Sequence, residues 1–285
     1  MIDVHCHLEQ KEFFQDLDKV IAACKKSGVK AVVTSCANPK DLERALEIAS
    51  KNAGFVFPSV GLHPEYIKEI KEKEISDYLE KIKENKNKIV AIGEIGLDFY
   101  WVKESSWQAK QKRQFAELIR FSKEIKKPLV VHSRDSHPDT IKTLEDEDAK
   151  NVLLHMFGGK DLIKNILENN WLISINYLVT RSKTYKKIAK DMPLENICLE
   201  TDAPWNGIQK KPEEVTQTDV IFKENKEQNL LTLRNDPTTI KTTAEKIAEI
   251  KEIPFETVWR ACGENARKFF SLLQNVQSSR MIDTG

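Results

Sequence analysis

Two histidines separated by a single residue lie near the start of the chain, in the run Asp3-Val4-His5-Cys6-His7. Side chains at positions i and i+2 of a β-strand point to the same side, so His5 and His7 converge, with Asp3 on that side too. Neutral imidazole nitrogens held in this way bind divalent transition metals. Such a pair also arises by chance, so a prediction of a metal site needs further ligands.

Those further ligands lie at the ends of short apolar runs, which are the predicted strands. Glu94 ends the fourth run, His132 the fifth and His155 the sixth, and Asp202 follows the eighth. In a barrel of parallel strands, the C-terminal strand ends share one rim, and active sites form there. Because buried charged groups are costly unless they are paired or bind a metal, this set predicts a metal centre on that rim.

The set is large enough for two divalent ions. Strand order predicts His5, His7 and Asp202 for one ion, His132 and His155 for the other, and Glu94 as a bridge. Two such ions activate a water and stabilise both the attacking and the leaving oxygen of a displacement. Mixed histidine and carboxylate ligands are compatible with Zn²⁺, Mn²⁺ or Mg²⁺, and the histidines favour the transition metals.

Three more side chains are expected on the same rim. His63 ends the third run, and we expect it to contact a substrate oxyanion or phosphate, with a loop histidine hydrogen-bonded to backbone as the alternative. Arg134 can grip a phosphate with two parallel N–H groups, although a structural role is equally open. Glu200 points to the same side as Asp202, as the partner of a ligand or as an occasional ligand. The predicted catalytic residues are Asp202, Glu94, His63 and Glu200, and the predicted substrate contacts are His63 and Arg134.

Other reactive or aromatic residues are assigned no function. His137 precedes a proline and is expected at the start of a loop. Cys6 faces away from the two histidines that flank it, which disfavours a cysteine nucleophile. Trp101 and Trp107 follow the Glu94 strand, and we expect them to form a small hydrophobic cluster; stacking on bases or lining the mouth of the site is the alternative.

These residues need a scaffold, and the chain alternates apolar runs with polar helical segments. We predict strands over Ile2 to His7, Val29 to Ser35, Val56 to Gly61, Ile89 to Glu94, Leu129 to His132, Asn151 to His155, Leu172 to Ile175 and Ile197 to Thr201. Continuous apolar strands are typical of a parallel sheet covered on both faces. Eight βα units in about 250 residues predict a (β/α)₈ TIM barrel. A doubly wound sheet is the alternative, but no glycine-rich loop follows the first strand.

Helices are predicted between the strands and after them. The intervening segments are Asp16 to Lys26, Asp41 to Ser50, Ile75 to Glu84, Gln108 to Glu124, Thr140 to Glu145 and Asp161 to Glu168. Residues 205–237 are polar and poor in strand signal, which predicts a long loop. Thr238 to Ile250 and Pro254 to Leu273 are predicted to close the fold. We therefore expect a single domain over residues 1–275 and a polar tail over 276–285.

Composition excludes several classes of protein. The chain has 285 residues and a net charge of +1, from 45 basic and 44 acidic side chains. Binding of nucleic acid must therefore depend on a local site rather than on a basic surface. Neither an apolar run of about 18 residues nor a secretory signal is evident, so we expect no membrane span and a cytoplasmic protein. Five scattered cysteines fit a reducing compartment. We also expect a monomer.

The motifs together resemble those of the TatD-type metal-dependent hydrolases, within the wider amidohydrolase-like barrels. They follow the family order over nearly the whole chain: Asp3 to Leu8, Gly61 to Pro64, Gly93 to Asp98, His132 to Arg134, His155 with Phe157 and Gly159, Leu199 to Pro204, Arg234 to Pro237 and Glu264 to Arg267. The resemblance implies a TIM-type barrel whose metal ligands are His5, His7, Glu94, His132, His155 and Asp202. Asp236 stands where the family usually has Glu, and Trp205 to Arg234 match poorly.

The resemblance also implies an activity. It predicts divalent-metal-dependent hydrolysis of phosphodiester bonds by a metal-activated water, as in a deoxyribonuclease that acts on DNA ends in the manner of a 3′-5′ exonuclease. An esterase or deacylase that removes a D-amino acid from transfer RNA is the alternative, because the same water can attack a carbonyl. RNA also remains open as a substrate. A non-catalytic nucleic-acid-binding protein with a vestigial metal site is a third reading, which the intact ligand set disfavours.

Overall fold

The computed structural model describes residues 1–216 and 219–272, so the expected tail over 276–285 lies outside the described residues. Eight parallel strands form one sheet in sequential order, which confirms the predicted (β/α)₈ barrel. The strands are β1 Ile2–Cys6, β2 Ala31–Cys36, β3 Val56–Val60, β4 Ala91–Asp98, β5 Leu129–Arg134, β6 Val152–Leu154, β7 Leu172–Ile175 and β8 Ile197–Leu199. No helix among the described residues is both long and apolar enough to cross a membrane.

Helices connect the strands and close the fold. They are α1 Leu17–Lys26, α2 Leu42–Lys51, α3 Glu72–Glu84, α4 Ser105–Ile125, α5 His137–Asp146, α6 Ile163–Glu168, α7 Lys183–Asp191, α8 Ile240–Lys251 and α9 Phe255–Phe269. The sequence pattern did not predict α7, because it is mostly polar and buries only Ile188 and Ala189. His137 begins α5 instead of a loop, with Pro138 in the first turn, where its missing N–H costs nothing.

The fourth strand differs from its predicted extent. β4 continues to Asp98, so Glu94 lies inside the strand and does not end it. The pairing of β4 with β5 shifts in register between Ile92 and Ile95. A register shift of this kind changes which side chains point to a given side of the sheet, and the alternation of residues in the sequence does not reveal it.

The polar segment after β8 also differs from its prediction as a loop without strands. It holds a small antiparallel sheet of β9 Gln209–Lys210, β10 Ile221–Asn225 and β11 Leu230–Leu233. Arg234 fastens this segment to the barrel, since its guanidinium donates to both Asp16 carboxylate oxygens at 2.8 and 2.7 Å. The three strands are short and hardly buried, so they lack the continuous buried run that predicted the barrel strands.

The barrel interior is apolar at the end where the strands begin. There, alternate strand residues pack with the end of α9 in a group that we call the lower cluster: Ile2, Val4, Ala31, Val33, Ala91, Val130, Leu153, Cys198, Ala266, Phe270 and Leu272. In β5, Val130 belongs to the lower cluster, and His132 follows it two residues later. In the same way, His155 follows Leu153 of β6 two residues later. A larger apolar core lies between the sheet and the helices.

Hydrogen bonds between β1 and the residues after β8 complete the barrel. The Asp202 N–H donates to the His5 carbonyl at 2.9 Å, and the His7 N–H donates to the Ala203 carbonyl at 2.7 Å. The buried Asp3 carboxylate accepts the Thr201 hydroxyl at 2.6 Å and the Thr201 N–H at 3.1 Å. Closure therefore brings ligand candidates from both ends of the barrel sequence side by side.

Candidate metal centre

The six predicted ligands meet at the C-terminal rim of the barrel. All of them are buried, with at most 8% of any residue exposed: His5, His7, Glu94, His132, His155 and Asp202. Their ligand atoms form groups of three within 4.8 Å of one another, among them His5–His7–Glu94 and Glu94–His132–His155. The structure thus brings together every ligand that strand order suggested.

Glu94 lies between two pairs of histidines, and each carboxylate oxygen faces one pair. Oε1 is 2.8 Å from His132 Nδ1 and 3.0 Å from His155 Nε2. Oε2 is 3.4 Å from His5 Nε2 and 3.9 Å from His7 Nε2. This is the placement that a bridging carboxylate needs.

Asp202 adds a second carboxylate on the His5 and His7 side. Its Oδ1 is 3.4 Å from His7 Nε2 and 3.7 Å from His5 Nε2. Its other oxygen, Oδ2, accepts a hydrogen bond from Asn206 Nδ2 at 2.6 Å. The contact with Asn206 fixes the orientation of the carboxylate towards the two histidines.

The ring nitrogens that point away from the centre have their own partners. His132 Nε2 lies 3.0 Å from Asp98 Oδ2, and His5 Nδ1 lies 3.1 Å from Ser35 Oγ. The Nδ1 atoms of His7 and His155 make no hydrogen bond of good geometry. They nevertheless lie 3.4 Å from Glu9 Oε1 and Glu200 Oε2, respectively. Oxygen partners on the outer nitrogens keep the protons there and leave the inner lone pairs free for a metal.

The short distances between the inner ring nitrogens test whether divalent ions fit this centre. His5 Nε2 and His7 Nε2 are only 3.1 Å apart, and His132 Nδ1 and His155 Nε2 are 3.4 Å apart. Lone pairs that converge at this distance in a buried place need a shared cation or extra protons. The donor set of imidazoles and carboxylates therefore suits divalent metal ions.

Charges at the centre act on both carboxylates in the same sense. Burial alone would raise the pKa of Glu94, but the neighbouring His155 holds it well below its ordinary value. Burial likewise opposes ionisation of Asp202, and the contacts with His7 and His155 lower its pKa. Both groups are ionised at neutral pH, as metal ligands must be.

His63 lies on the rim but is oriented differently from the ligand histidines. Its Nδ1 accepts the Glu65 N–H at 3.2 Å, so the proton is on Nε2, which lies 3.5 Å from Glu94 Oε1. Burial lowers the pKa of His63 to about 3, so the ring is neutral. His63 thus presents an N–H donor to the centre, where the ligand histidines present lone pairs.

Sequence reasoning missed two carboxylates beside the ligands. Asp98 contacts His132, and Glu9 faces His7 while its Oε2 accepts the Thr34 hydroxyl at 2.6 Å. Glu9 lies two residues after His7, and this spacing was an available signal. Asp98 was already part of the Gly93 to Asp98 motif, but it was not recognised because β4 was expected to end at Glu94.

A cavity of about 640 Å³ opens over the centre. Its lining includes Glu94, His63, Asp202 and Arg134. Glu200 is completely buried, and its Oε2 accepts the Ser174 hydroxyl at 2.6 Å. Of the two readings of Glu200, this geometry favours the partner of a ligand, because its Oε2 faces the outer nitrogen of His155 at 3.4 Å rather than the centre.

Residues that were assigned no function lie either in the core or beside the cavity. Cys6 is fully buried, and its thiol donates to the Val33 carbonyl. His137 packs edge-on against Phe157 with ring centroids 5.4 Å apart, although it also borders the cavity. Trp101 is 60% exposed at the cavity mouth, which corresponds to the alternative that it lines the mouth of the site and not to a hydrophobic cluster.

Comparison with known proteins places the chain among related hydrolases. The family model described as TatD related DNase matches residues 2–271. Deoxyribonuclease TATDN3 of Homo sapiens is 31% identical over 285 residues, which cover 97% of this chain and 96% of the human protein. An uncharacterized metal-dependent hydrolase of Methanocaldococcus jannaschii is 32% identical over 270 residues, covering 94% of this chain and 96% of its own length.

Solved structures share the fold. The TatD homologue YJJV from Escherichia coli superposes with a TM-score of 0.81 at 20% identity, covering 96% of this chain and 98% of its own. A hydrolase TatD family protein from Entamoeba histolytica gives a TM-score of 0.80 at 24% identity, covering 94% of this chain and 97% of its own. At these identities the likeness concerns the fold alone.

Proposed function

The chain belongs to the TatD family of metal-dependent hydrolases, and from that premise we propose that it is a deoxyribonuclease that hydrolyses phosphodiester bonds at DNA ends, as a 3′-5′ exonuclease. One observation carries the proposal: the two oxygens of Glu94 face two separate pairs of histidines. A carboxylate placed in this way fits a pair of ions acting on one phosphate.

We propose two divalent ions at this centre. His5, His7 and Asp202 would hold one ion, His132 and His155 would hold the other, and Glu94 would bridge them. The imidazole ligands favour Zn²⁺ or Mn²⁺ over Mg²⁺. When bound, such ions supply Lewis acidity that polarises a phosphoryl oxygen and makes a water more acidic.

The proposed role of Asp202 is to accept and orient the proton of the attacking water. Asp202 borders the cavity beside Asn206, which donates to its Oδ2, while Oδ1 faces the histidines. The low pKa of Asp202 keeps it ionised, so it can accept a hydrogen bond from water at neutral pH. Asn206 holds the carboxylate in place for this contact.

His63 and Arg134 are the proposed contacts to the phosphate. The neutral ring of His63 offers its Nε2–H towards the cavity, where charge develops on the phosphoryl oxygens. The guanidinium carbon of Arg134 lies 3.8 Å from the centre of the Tyr100 ring, and Arg134 borders the cavity. A guanidinium at this place suits two parallel hydrogen bonds to a phosphate.

A substrate screen tests the proposal. Purified protein is stripped with a chelator, reloaded separately with Zn²⁺, Mn²⁺ or Mg²⁺, and incubated with end-labelled DNA, RNA and D-aminoacyl-tRNA. We expect stepwise shortening of DNA that EDTA abolishes. Cleavage of the tRNA ester without cleavage of DNA would replace the proposed activity with the deacylase alternative.

Two variants guard the screen against a contaminating nuclease. Asp202→Asn should abolish DNA cleavage. Asp148→Asn makes the same chemical change at an exposed carboxylate before β6, at the opposite end of the barrel, in a positive-φ position that Asn accepts. Asp148→Asn should keep full activity, and equal loss in both variants would count against the assigned site.

A further inference from the structure

We propose that Trp101, together with Tyr100 and Arg134, forms a stacking platform for a nucleobase beside the scissile phosphate. The inference rests on the proposed function, since it names the part of a nucleic-acid substrate that the cavity mouth binds. It assigns substrate selection to residues outside the metal centre.

The first observation is exposed aromatic surface next to the centre. Trp101 is 60% exposed and Tyr100 is 41% exposed, and the Trp101 side chain borders the same cavity as Glu94 and His132. Large aromatic side chains are usually well buried, and an exposed one beside a site indicates a binding surface. The indole therefore has room for a ligand.

The second observation is that the backbone of the exposed tryptophan is anchored. The Trp101 backbone N–H donates to Asp98 Oδ1 at 2.7 Å. The other oxygen of the same carboxylate lies 3.0 Å from His132 Nε2. One carboxylate thus fixes both a metal-ligand candidate and the backbone of the exposed tryptophan, so the position of the platform is tied to that of the centre.

The third observation is the cation beside the rings. The Arg134 guanidinium lies 3.8 Å from the Tyr100 ring centroid and 5.4 Å from that of Trp101. The two rings meet edge to face with centroids 4.8 Å apart. Within residues 1–216 and 219–272, no carboxylate forms an ion pair with Arg134, so its charge is available to an anion.

These features match the two parts of a nucleotide. The guanidinium and the His63 N–H suit a phosphate, and the aromatic surface beside them suits the flat face of a base. In a duplex, neighbouring bases cover both faces of a base, so the platform can take only a terminal or unpaired one. Stacking on an aromatic side chain accepts any base, because every base has a π-face.

The test compares two nuclease-resistant oligonucleotides on metal-loaded protein. One is a labelled phosphorothioate octamer of thymidine, and the other has the same backbone with abasic sites in place of the bases. Fluorescence anisotropy measures the dissociation constants. For Trp101→Ala we expect about tenfold weaker binding of the thymidine octamer and almost no change for the abasic one. Trp101→Phe should recover most of the loss.

Trp107→Ala is the matched control. Trp107 is half-buried on α4, and Lys110 Nζ lies 5.2 Å from the centre of its ring. Trp107 is not among the residues that line the cavity. This variant should bind both octamers as the unchanged protein does. Equal weakening of both octamers by Trp101→Ala, or no preference of the unchanged protein for the base-bearing octamer, would overturn the platform.

Failure of the platform and failure of the proposed function give different results. If the unchanged protein cleaves ordinary DNA and Trp101→Ala cleaves thymidine and abasic substrates in the same ratio, the function stands and the platform is wrong. If no DNA is cleaved but Trp101 still selects the base-bearing octamer, the platform stands and the deoxyribonuclease proposal is wrong.

Discussion

The lower cluster and the metal centre are built by the same strands but have opposite chemistry. In β6, completely buried Leu153 packs in the lower cluster, and His155 two residues later faces Glu94. In β5, Val130 and His132 repeat the pattern. Two residues span only about 7 Å of strand. Stability and chemistry are therefore separated along the strand axis, and substitutions at the two ends should affect different measurements.

The separation has an energetic reason. Buried carboxylates and histidines cost stability unless they are paired or bind metal. Apolar burial at the other end supplies free energy at about 25 cal/mol per Å² of surface removed from water. A strand that ends in a ligand can thus be held in place by the apolar residues that precede it.

The largest expected effect is at the bridge. Glu94→Ala should reduce DNA cleavage by roughly 1,000-fold or more, because bound metal supplies several kcal/mol of transition-state stabilisation. Metal content measured by mass spectrometry should fall with it. Glu94→Gln keeps the shape without the charge and serves as the control for folding, monitored by circular dichroism. Full metal content together with full activity in both variants would remove Glu94 from the centre.

The next effect concerns the lower cluster and should appear in stability alone. Leu153→Ala should lower the free energy of unfolding by about 3 kcal/mol, since it leaves a cavity in fully buried packing. Denaturant titration measures this change. Activity of the folded protein at 25 °C should hardly change, and Leu153→Met, which conserves volume, should cost much less. Loss of metal in Leu153→Ala would contradict the separation of stability, in the lower cluster, from chemistry at the rim.

A substitution at His63 should separate substrate contact from metal binding. His63→Ala removes the N–H donor, and we expect a decrease in kcat of about 100-fold, the usual effect of losing one such donor. Metal content should stay at the level of the unchanged protein. A parallel loss of metal would instead make His63 a ligand, together with Asp98 and His132, with which it forms a group of possible ligands.

The smallest effect is expected at Glu200. Glu200→Gln keeps an acceptor for the Ser174 hydroxyl but removes the charge that faces His155 Nδ1 at 3.4 Å. Affinity for metal, measured by competition with a chelator, should fall about tenfold. Ser174→Ala tests whether the hydrogen bond alone matters, and it should have a weaker effect. Unchanged affinity in Glu200→Gln would leave that carboxylate without a positioning role.

The barrel and the meeting of six candidate ligands at its rim could be predicted because each depends on local pattern. Strand runs such as that ending in His132 combine apolar continuity with a polar final residue. Parallel strands then bring those residues to one rim whatever the connecting helices are. Positions of the site that depend only on strand order were therefore accessible from the sequence.

The remainder depended on contacts between distant segments. The extension of β4 to Asp98 follows a register shift against β5. The pairing of β11 with the two-residue β9 joins strands about twenty residues apart, and the hairpin of β10 with β11 is hardly buried. The exposure of Trp101 depends on what packs around it, and tryptophan in a sequence more often indicates a core position.

Closure of the barrel between β1 and the residues after β8 has a consequence for the order of events during synthesis. The bond between Asp3 and Thr201 joins positions separated by 198 residues. Contacts of such sequence separation form late, because the entropy of closing the intervening chain must be lost first. A growing chain thus carries His5 and His7 well before Asp202, which follows β8, so the set of candidate ligands is complete only after β8 has emerged. Metal capture at the proposed centre would therefore be coupled to completion of the barrel.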